Sequence, residues 1–244
     1  MPNLKLGRKF PTQSKLKLSR YLGPQLPHPP SAIDWTLAMT NAWGMMGNDN
    51  LGDCTCAAMG HAVQTITSNG DGLITPPDAE IIKMYEGIGS YDPSDPNSDQ
   101  GATELDAMKF MASTGLSGVK CDAFADVDHT NLDAVKQTIF LMGGCYIGVE
   151  ITDRDMNDFE QNRAWTSTRL DRVEGGHALW VPIYDRNGIY VVTWGKLQPA
   201  SWGWYQSHAD EAHALILKAW CVNSLDCSPS GLDLQTLEAD LAAL

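Results

Sequence analysis

The chain has 244 residues, 43% of them hydrophobic, with 30 acidic against 17 basic side chains and a formal net charge of −13 at pH 7. That length buries a core without disulfide or metal staples, and no apolar run approaches the eighteen or so residues of a membrane span. The charge argues against nucleic acid as a general partner, and the hydropathy against a membrane.

The charge is unevenly spread. Lys5, Arg8, Lys9, Lys15, Lys17 and Arg20 all fall within the first 33 residues, where no acid is found. Pro24, Pro27, Pro29 and Pro30 follow, so residues 1–30 read as an extended basic arm. Two readings stand: a solvated arm, or one that docks on an acidic surface, its own or a neighbour's. The arm lacks the apolar core of a signal peptide, which points away from Sec secretion and toward the cytoplasm.

The most informative stretch is Gly47 to His61, Gly-Asn-Asp-Asn-Leu-Gly-Asp-Cys-Thr-Cys-Ala-Ala-Met-Gly-His. Gly52-Asp53 marks a tight turn, and Thr55 to Ile66, alanine-rich and free of proline, reads as a buried helix. Cys54 then stands in the first turn, where orphan N–H groups and the helix dipole favour a nucleophilic thiolate.

Further along, Thr75-Pro76-Pro77-Asp78 predicts a helix start with proline in its first turn, leading into Ala79 to Tyr85. Tyr91 to Gly101 reads as a loop, and Thr103 to Thr114 as a helix with Leu105, Met108, Phe110 and Met111 largely on one face. Asn131 caps a helix over Leu132 to Met142 that Gly143-Gly144 stops. Cys145 to Ile151 alternates as a strand. Ala178 to Tyr184, a turn at 185–188, and Ile189 to Thr193 read as a β-hairpin opened by His177. Ser207 to Glu211 reads as a helix start, Leu215 to Val222 as a closing strand, and Asp233 to Leu244 as an acidic amphipathic segment. Helices first and strands later predict an α+β protein with a helical lobe, a sheet lobe and a cleft between them.

The six cysteines, Cys54, Cys56, Cys121, Cys145, Cys221 and Cys227, form no CxxC pair and are expected mostly as free thiols. Cys56 is expected in the core. His208 and His213 are too far apart for one helix face, and the acids at 153, 155, 158 and 160 lack the order of a calcium loop, so they read as a solvated acidic face. No metal and no cofactor is expected.

Several ordered segments resemble the papain-like cysteine peptidases, as a divergent member of the bacterial and phage type. Pro30 to Trp35 resembles the Pro-x-x-x-Asp-Trp that opens the mature domain. Asn48 to Cys54 resembles Gln-Gly-x-Cys-Gly-Ser-Cys, and Asp99-Gln100-Gly101 stands where the family has Asn-Gly-Gly. His177-Ala178-Leu179 resembles His-Ala-Val. Trp194-Gly195 with Trp202-Gly203 resembles Asn-Ser-Trp-Gly-x-x-Trp-Gly. The resemblance implies a two-lobed papain-like domain over residues 31–228, with residues 229–244 as a C-terminal segment. It implies Cys54 as nucleophile, His177 as its acid–base partner, an oxyanion hole from the Cys54 N–H and the Asn48 amide, and a groove bordered by Gly52, Asp53, Gly101 and Trp194.

Departures accompany the matches. The asparagine that orients the family's histidine is absent. Aligning on Trp194-Gly195 puts Val192 there, and counting from His177 puts Thr193 there, of which only Thr193 bonds a ring nitrogen. Asp53 stands beside the nucleophile, where a carboxylate opposes thiolate formation unless it points into water. Three functions remain open: a cysteine peptidase or amidase acting on a peptide or protein; a catalytically inactive papain-like binding or structural module, as in a phage particle, making oligomer or assembly contacts through its basic arm and C-terminal helix; and a transglutaminase-like acyl transferase, for which Asp185 lies in a hairpin turn.

Overall fold

The computed structural model describes residues 4–9, 28–70, 72–170 and 172–220. At its centre is helix α1 (Cys54–Ser68), of whose 15 residues all but the last are buried. A helix hidden on every side needs small residues where neighbours press closest: a Cβ at Gly60 would come within 2.9 Å of Ile81 Cδ1. On one side α1 meets α2 (Asp78–Gly89) and α3 (Glu104–Ser113). On the other it is bolted to the sheet, where Trp180 Nε1 donates to Thr65 Oγ1 at 3.0 Å and the Tyr146 hydroxyl donates to Thr55 O at 3.1 Å.

The sheet comprises β1 (Ile33–Asp34), β2 (Cys121–Asp126), β3 (Cys145–Thr152), β4 (Val173–Tyr184), β5 (Gly188–Thr193), β6 (Lys196–Ser201) and β7 (Ala209–Leu217). Its order is β2-β7-β3-β4-β5-β6, with β1 pairing β4, and every pairing is antiparallel. The fold is α+β as expected, and its sheet is open rather than a closed barrel. Strand β3 is central, with Gly148 facing Ala178 of β4 on one side and Glu211 of β7 on the other.

Local chemistry explains most element ends. Asn131 accepts the N–H groups of Asp133 and Ala134 to open α4 (Leu132–Met142), and Gly143 at φ 78° closes it. Thr103 caps α3 through the Asp106 N–H. Helix α2 runs four residues beyond Tyr85, and Pro77 stands at its N-cap, so both prolines precede the first turn.

Several sequence expectations are corrected. The acids after β3 form α5 (Asp153–Glu160), opened by a Thr152–Asp155 capping box. Asp155 and Asp158 are buried there, so of the expected solvated acidic face only Asp153 and Glu160 reach solvent. Burial works against ionisation of Asp155, but hydrogen bonds from His208 and Thr152 outweigh it and hold the carboxyl below its ordinary value. The helix placed at Ser207–Glu211 is instead α6 (Trp202–His208), which Ser201 caps. Asp210 and Glu211 belong to β7, which starts six residues before the expected closing strand and ends at Leu217. Strands β2 and β6 were not foreseen. His177 lies inside β4 rather than at its start. Val222, Cys221, Cys227 and the segment Asp233–Leu244 lie outside the described residues.

Candidate active site

Cys54 is the first residue of α1, at the foot of the seam between α1 and the sheet. Its thiol faces the backbone N–H of Ala178, the residue after His177, and that of Gly7 from the arm. Strand β4 thus brings the histidine to the nucleophile's end of the helix. Strand β5 supplies the histidine's partner: His177 Nε2 lies 2.7 Å from Thr193 Oγ1. Of the two positions open in the sequence, Thr193 makes the contact. With its proton on Nε2 the imidazole donates to Thr193 and leaves Nδ1 as a base, and Nδ1 has no hydrogen-bond partner among the described residues. Behind the ring, Trp194 stacks at 4.3 Å between centroids and 18° between planes, itself braced edge-on by Phe159. Trp194 at φ 42° and Gly195 at φ 76° turn the chain so that this stacking follows directly on Thr193.

The arm lies in the groove. Lys5 N donates to Asn48 O at 3.3 Å, Ala102 N to Gly7 O at 2.9 Å, Lys9 N to Ala102 O at 2.8 Å and Arg8 N to Gly176 O at 3.2 Å. The Lys5 carbonyl is approached by two side-chain donors, Trp194 Nε1 at 3.3 Å and Asn48 Nδ2 at 3.4 Å. Asn48, which is buried, also donates to Leu51 O at 3.0 Å. Gly7 is pressed between two other glycines: a Cβ at Gly7 would overlap Gly52 O, and a Cβ at Gly101 would overlap the Gly7 carbonyl. Gly52, Gly101, Trp194 and Asn48 therefore converge on one extended peptide segment.

Asp53 does not border this groove. Its carboxyl is fully buried against Gly47, beside the Asn48 side chain. Burial drives its pKa well above the ordinary value, against the opposing effect of hydrogen bonds from Asn48 and its own N–H, and so favours the neutral acid. It points into protein rather than water, and neutrality removes its opposition to a neighbouring thiolate.

Position at a helix start does not by itself yield a thiolate. Burial under the arm pushes the Cys54 thiol up to about 12, against the opposing effect of the Ala178 and Gly7 N–H groups. Burial, followed by the charges of Arg8 and His61, pushes His177 down to about 3. With the arm in place, both groups are neutral at pH 7. Cys56 is fully buried in the core beside Thr55, as expected, and Cys54, Cys56, Cys121 and Cys145 are free thiols.

Sequence reasoning missed the clamp that holds the two groove walls together. Asp99 accepts the Gly52 N–H at 2.9 Å and the Tyr85 hydroxyl at 2.6 Å, and Tyr85 in turn accepts the Gly101 N–H at 2.8 Å. Tyr85 sits on a helix without motif, and nothing beside it in the sequence marks it. Asp185, the candidate for an acyl-transferase triad, accepts the N–H groups of Asn187 and Gly188 in the β4–β5 turn.

No helix among the described residues is long and apolar enough to cross a membrane. No family model matches the chain, and no curated protein matches it significantly. Solved structures do. Xylellain, a cysteine protease from Xylella fastidiosa, is 14% identical with a TM-score of 0.61, over 88% of this chain and 96% of that one. Procathepsin B S9 from Trypanosoma congolense is 10% identical with a TM-score of 0.63, over 88% and 86%. A Carica candamarcensis cysteine protease, in complex with E-64, is 18% identical with a TM-score of 0.56, over 76% and 98%. The chain has the fold of the papain-like cysteine proteases.

Proposed function

We propose that the protein is a papain-like cysteine peptidase or amidase whose groove is filled, in this form, by its own N-terminal arm. What supports the reading is the papain-like fold together with the Ala178 N–H, next in sequence to His177, that reaches the Cys54 thiol beside the arm, and the 2.7 Å contact between His177 and Thr193. Once the arm leaves, water reaches Cys54 and His177 and the desolvation that keeps both neutral is relieved. His177 Nδ1 takes the thiol proton, the thiolate attacks a substrate carbonyl, and the Cys54 N–H with Asn48 Nδ2 receives the oxyanion. His177 returns the proton to the leaving amine, and water then hydrolyses the thioester. Thr193 keeps the imidazole in the required tautomer and orientation. The substrate is a peptide or protein, met in the cytoplasm or within an assembled phage particle.

The burial of Cys54 and the neutral state of the pair favour a second reading, a papain-shaped binding module without catalysis. Mass-spectrometric alkylation rates of Cys54 against pH separate the two, measured in the full chain carrying Gly7→Ala to displace the arm, with and without His177→Ala. The peptidase reading expects fast reaction persisting below pH 6 and lost with the histidine. A rate that rises only near the ordinary thiol pKa of about 8.5, indifferent to His177, establishes the binding module.

A further inference from the structure

Among the described residues of the arm, Arg8 alone has a buried side chain, with 1% of it exposed. Its guanidinium enters a pocket floored by glycine. A Cβ at Gly148 would stand 2.5 Å from Arg8 Nη1 and 2.7 Å from Glu104 Oε1, so a side chain there would fill the space. Gly176 borders it in the same way, since a Cβ there would stand 2.8 Å from the Arg8 carbonyl. The walls are acidic. Glu211 accepts from Nη1, Asp210 accepts from Nη2 on both oxygens at 2.6 Å, and Glu104 lies 4.0 Å from Nε. Glu104 is fully buried, and neither of its oxygens has a hydrogen-bond partner among the described residues. Behind them His213 stands 3.3 Å from Glu104 and Glu211 and 3.0 Å from Asp126.

Three carboxylates stand around His213 and a fourth, Asp210, lies at Arg8. Burial pushes Glu104 up to about 7, yet the acids still outnumber the one histidine, and a cation between them offsets charge that is costly to leave unpaired. The donors required are those of a guanidinium fork: one nitrogen directed at Glu211, one at Asp210 and Nε toward Glu104. The pocket opens beside Gly176, the residue before His177, and is therefore continuous with the groove that holds Cys54.

We propose that Glu104, Asp210 and Glu211, over the Gly148 floor, form a subsite for an arginine side chain of a bound peptide, which Arg8 fills while the arm is docked. The assignment rests on the groove being a peptide site, as the proposed function has it, but needs no reactivity at Cys54. Glu104, Glu211 and His213 also place ligand atoms within 4.8 Å of one another, so a divalent cation is the competing occupant.

The test uses the full-length chain carrying Arg8→Ala, which empties the pocket. The probe is a fluorescent peptide Leu-Lys-Leu-Gly-Arg-Lys, compared by anisotropy with the same peptide carrying citrulline, which keeps the shape and removes the charge. We expect at least about tenfold tighter binding of the arginine peptide, the worth of one charge-assisted hydrogen bond. Adding Asp210→Asn should bring the two peptides to near parity. Equal binding of both, or binding of neither by a folded variant, overturns the subsite. So does Zn2+ binding at the pocket without any arginine preference. If Arg8→Ala does not fold, as judged by circular dichroism, the Gly7→Ala chain is tested in the same way. Cleavage without arginine preference removes the subsite and leaves the peptidase reading standing, whereas arginine-selective binding without cleavage does the reverse.

Discussion

The Thr193 hydroxyl lies 2.7 Å from His177 Nε2, occupying with a short β-branched side chain the position from which an amide would orient the ring. Thr193→Val keeps the shape and removes the hydrogen bond, worth about 1 kcal/mol. With the arm displaced by Gly7→Ala, kcat on a peptide substrate should fall roughly fivefold with KM little changed, and Thr193→Ser should recover most of the loss. An unchanged kcat in Thr193→Val would remove the residue from the mechanism.

Tyr85 and Asp99 join the loop before α1 to the loop before α3. Tyr85→Phe leaves the Gly101 N–H without its acceptor and takes one of two donors from Asp99 Oδ1, which keeps the Gly52 N–H. Urea unfolding should show a loss of about 1–3 kcal/mol. The arm should also be cut sooner by trypsin, since Gly7 is held between the two loops that this pair aligns.

His61 and His177 are buried, with pKa values pushed down to about 4 and about 3. The unfolded chain binds protons near the ordinary value of about 6.5. Their contribution to stability is therefore complete above that value and is lost as pH falls toward the folded values. For His177 alone the loss should reach about 2–3 kcal/mol by pH 4.5. Urea midpoints measured from pH 7.5 to pH 4.5 should fall, and His177→Asn should flatten the curve.

Asp53 has the opposite sign. Its folded pKa is raised, so its contribution is favourable below the unfolded value of about 3.9 and lost as pH rises through the folded one. Asp53→Asn should raise the urea midpoint at pH 7.5, with the gain vanishing near pH 4. A destabilised Asn variant at neutral pH would mean that the carboxylate is ionised in the fold.

The parts of this molecule legible in its sequence are those fixed by near neighbours. Asn131 and Gly143 bracket α4 to the residue because caps are local chemistry. The turn at Gly52-Asp53 and the alanine-rich run after it marked the start of α1 within one residue, and spacing from His177 pointed to Thr193. What stayed hidden depends on distant partners. Ser207 and Asp210 carry the pattern of a helix cap, yet β7 takes the second because pairing with β3 and β2 outweighs local preference. The acids of α5 looked solvated because nothing near them announces that His208 and Trp204 come to Asp155. Arg8 meets Asp210 across 202 positions, and no pattern within the arm distinguishes it from the other five basic residues there.

The stacked glycines at 7, 52 and 101 act as a gauge on whatever lies along that track. Because a Cβ at Gly7 would overlap Gly52 O, a chain following the arm's path with an arginine in the acidic pocket, as proposed, is expected to carry glycine immediately before it. If the subsite proposed above holds, the peptides to be tried first are those carrying Gly-Arg, the glycine required by exclusion and the arginine by charge.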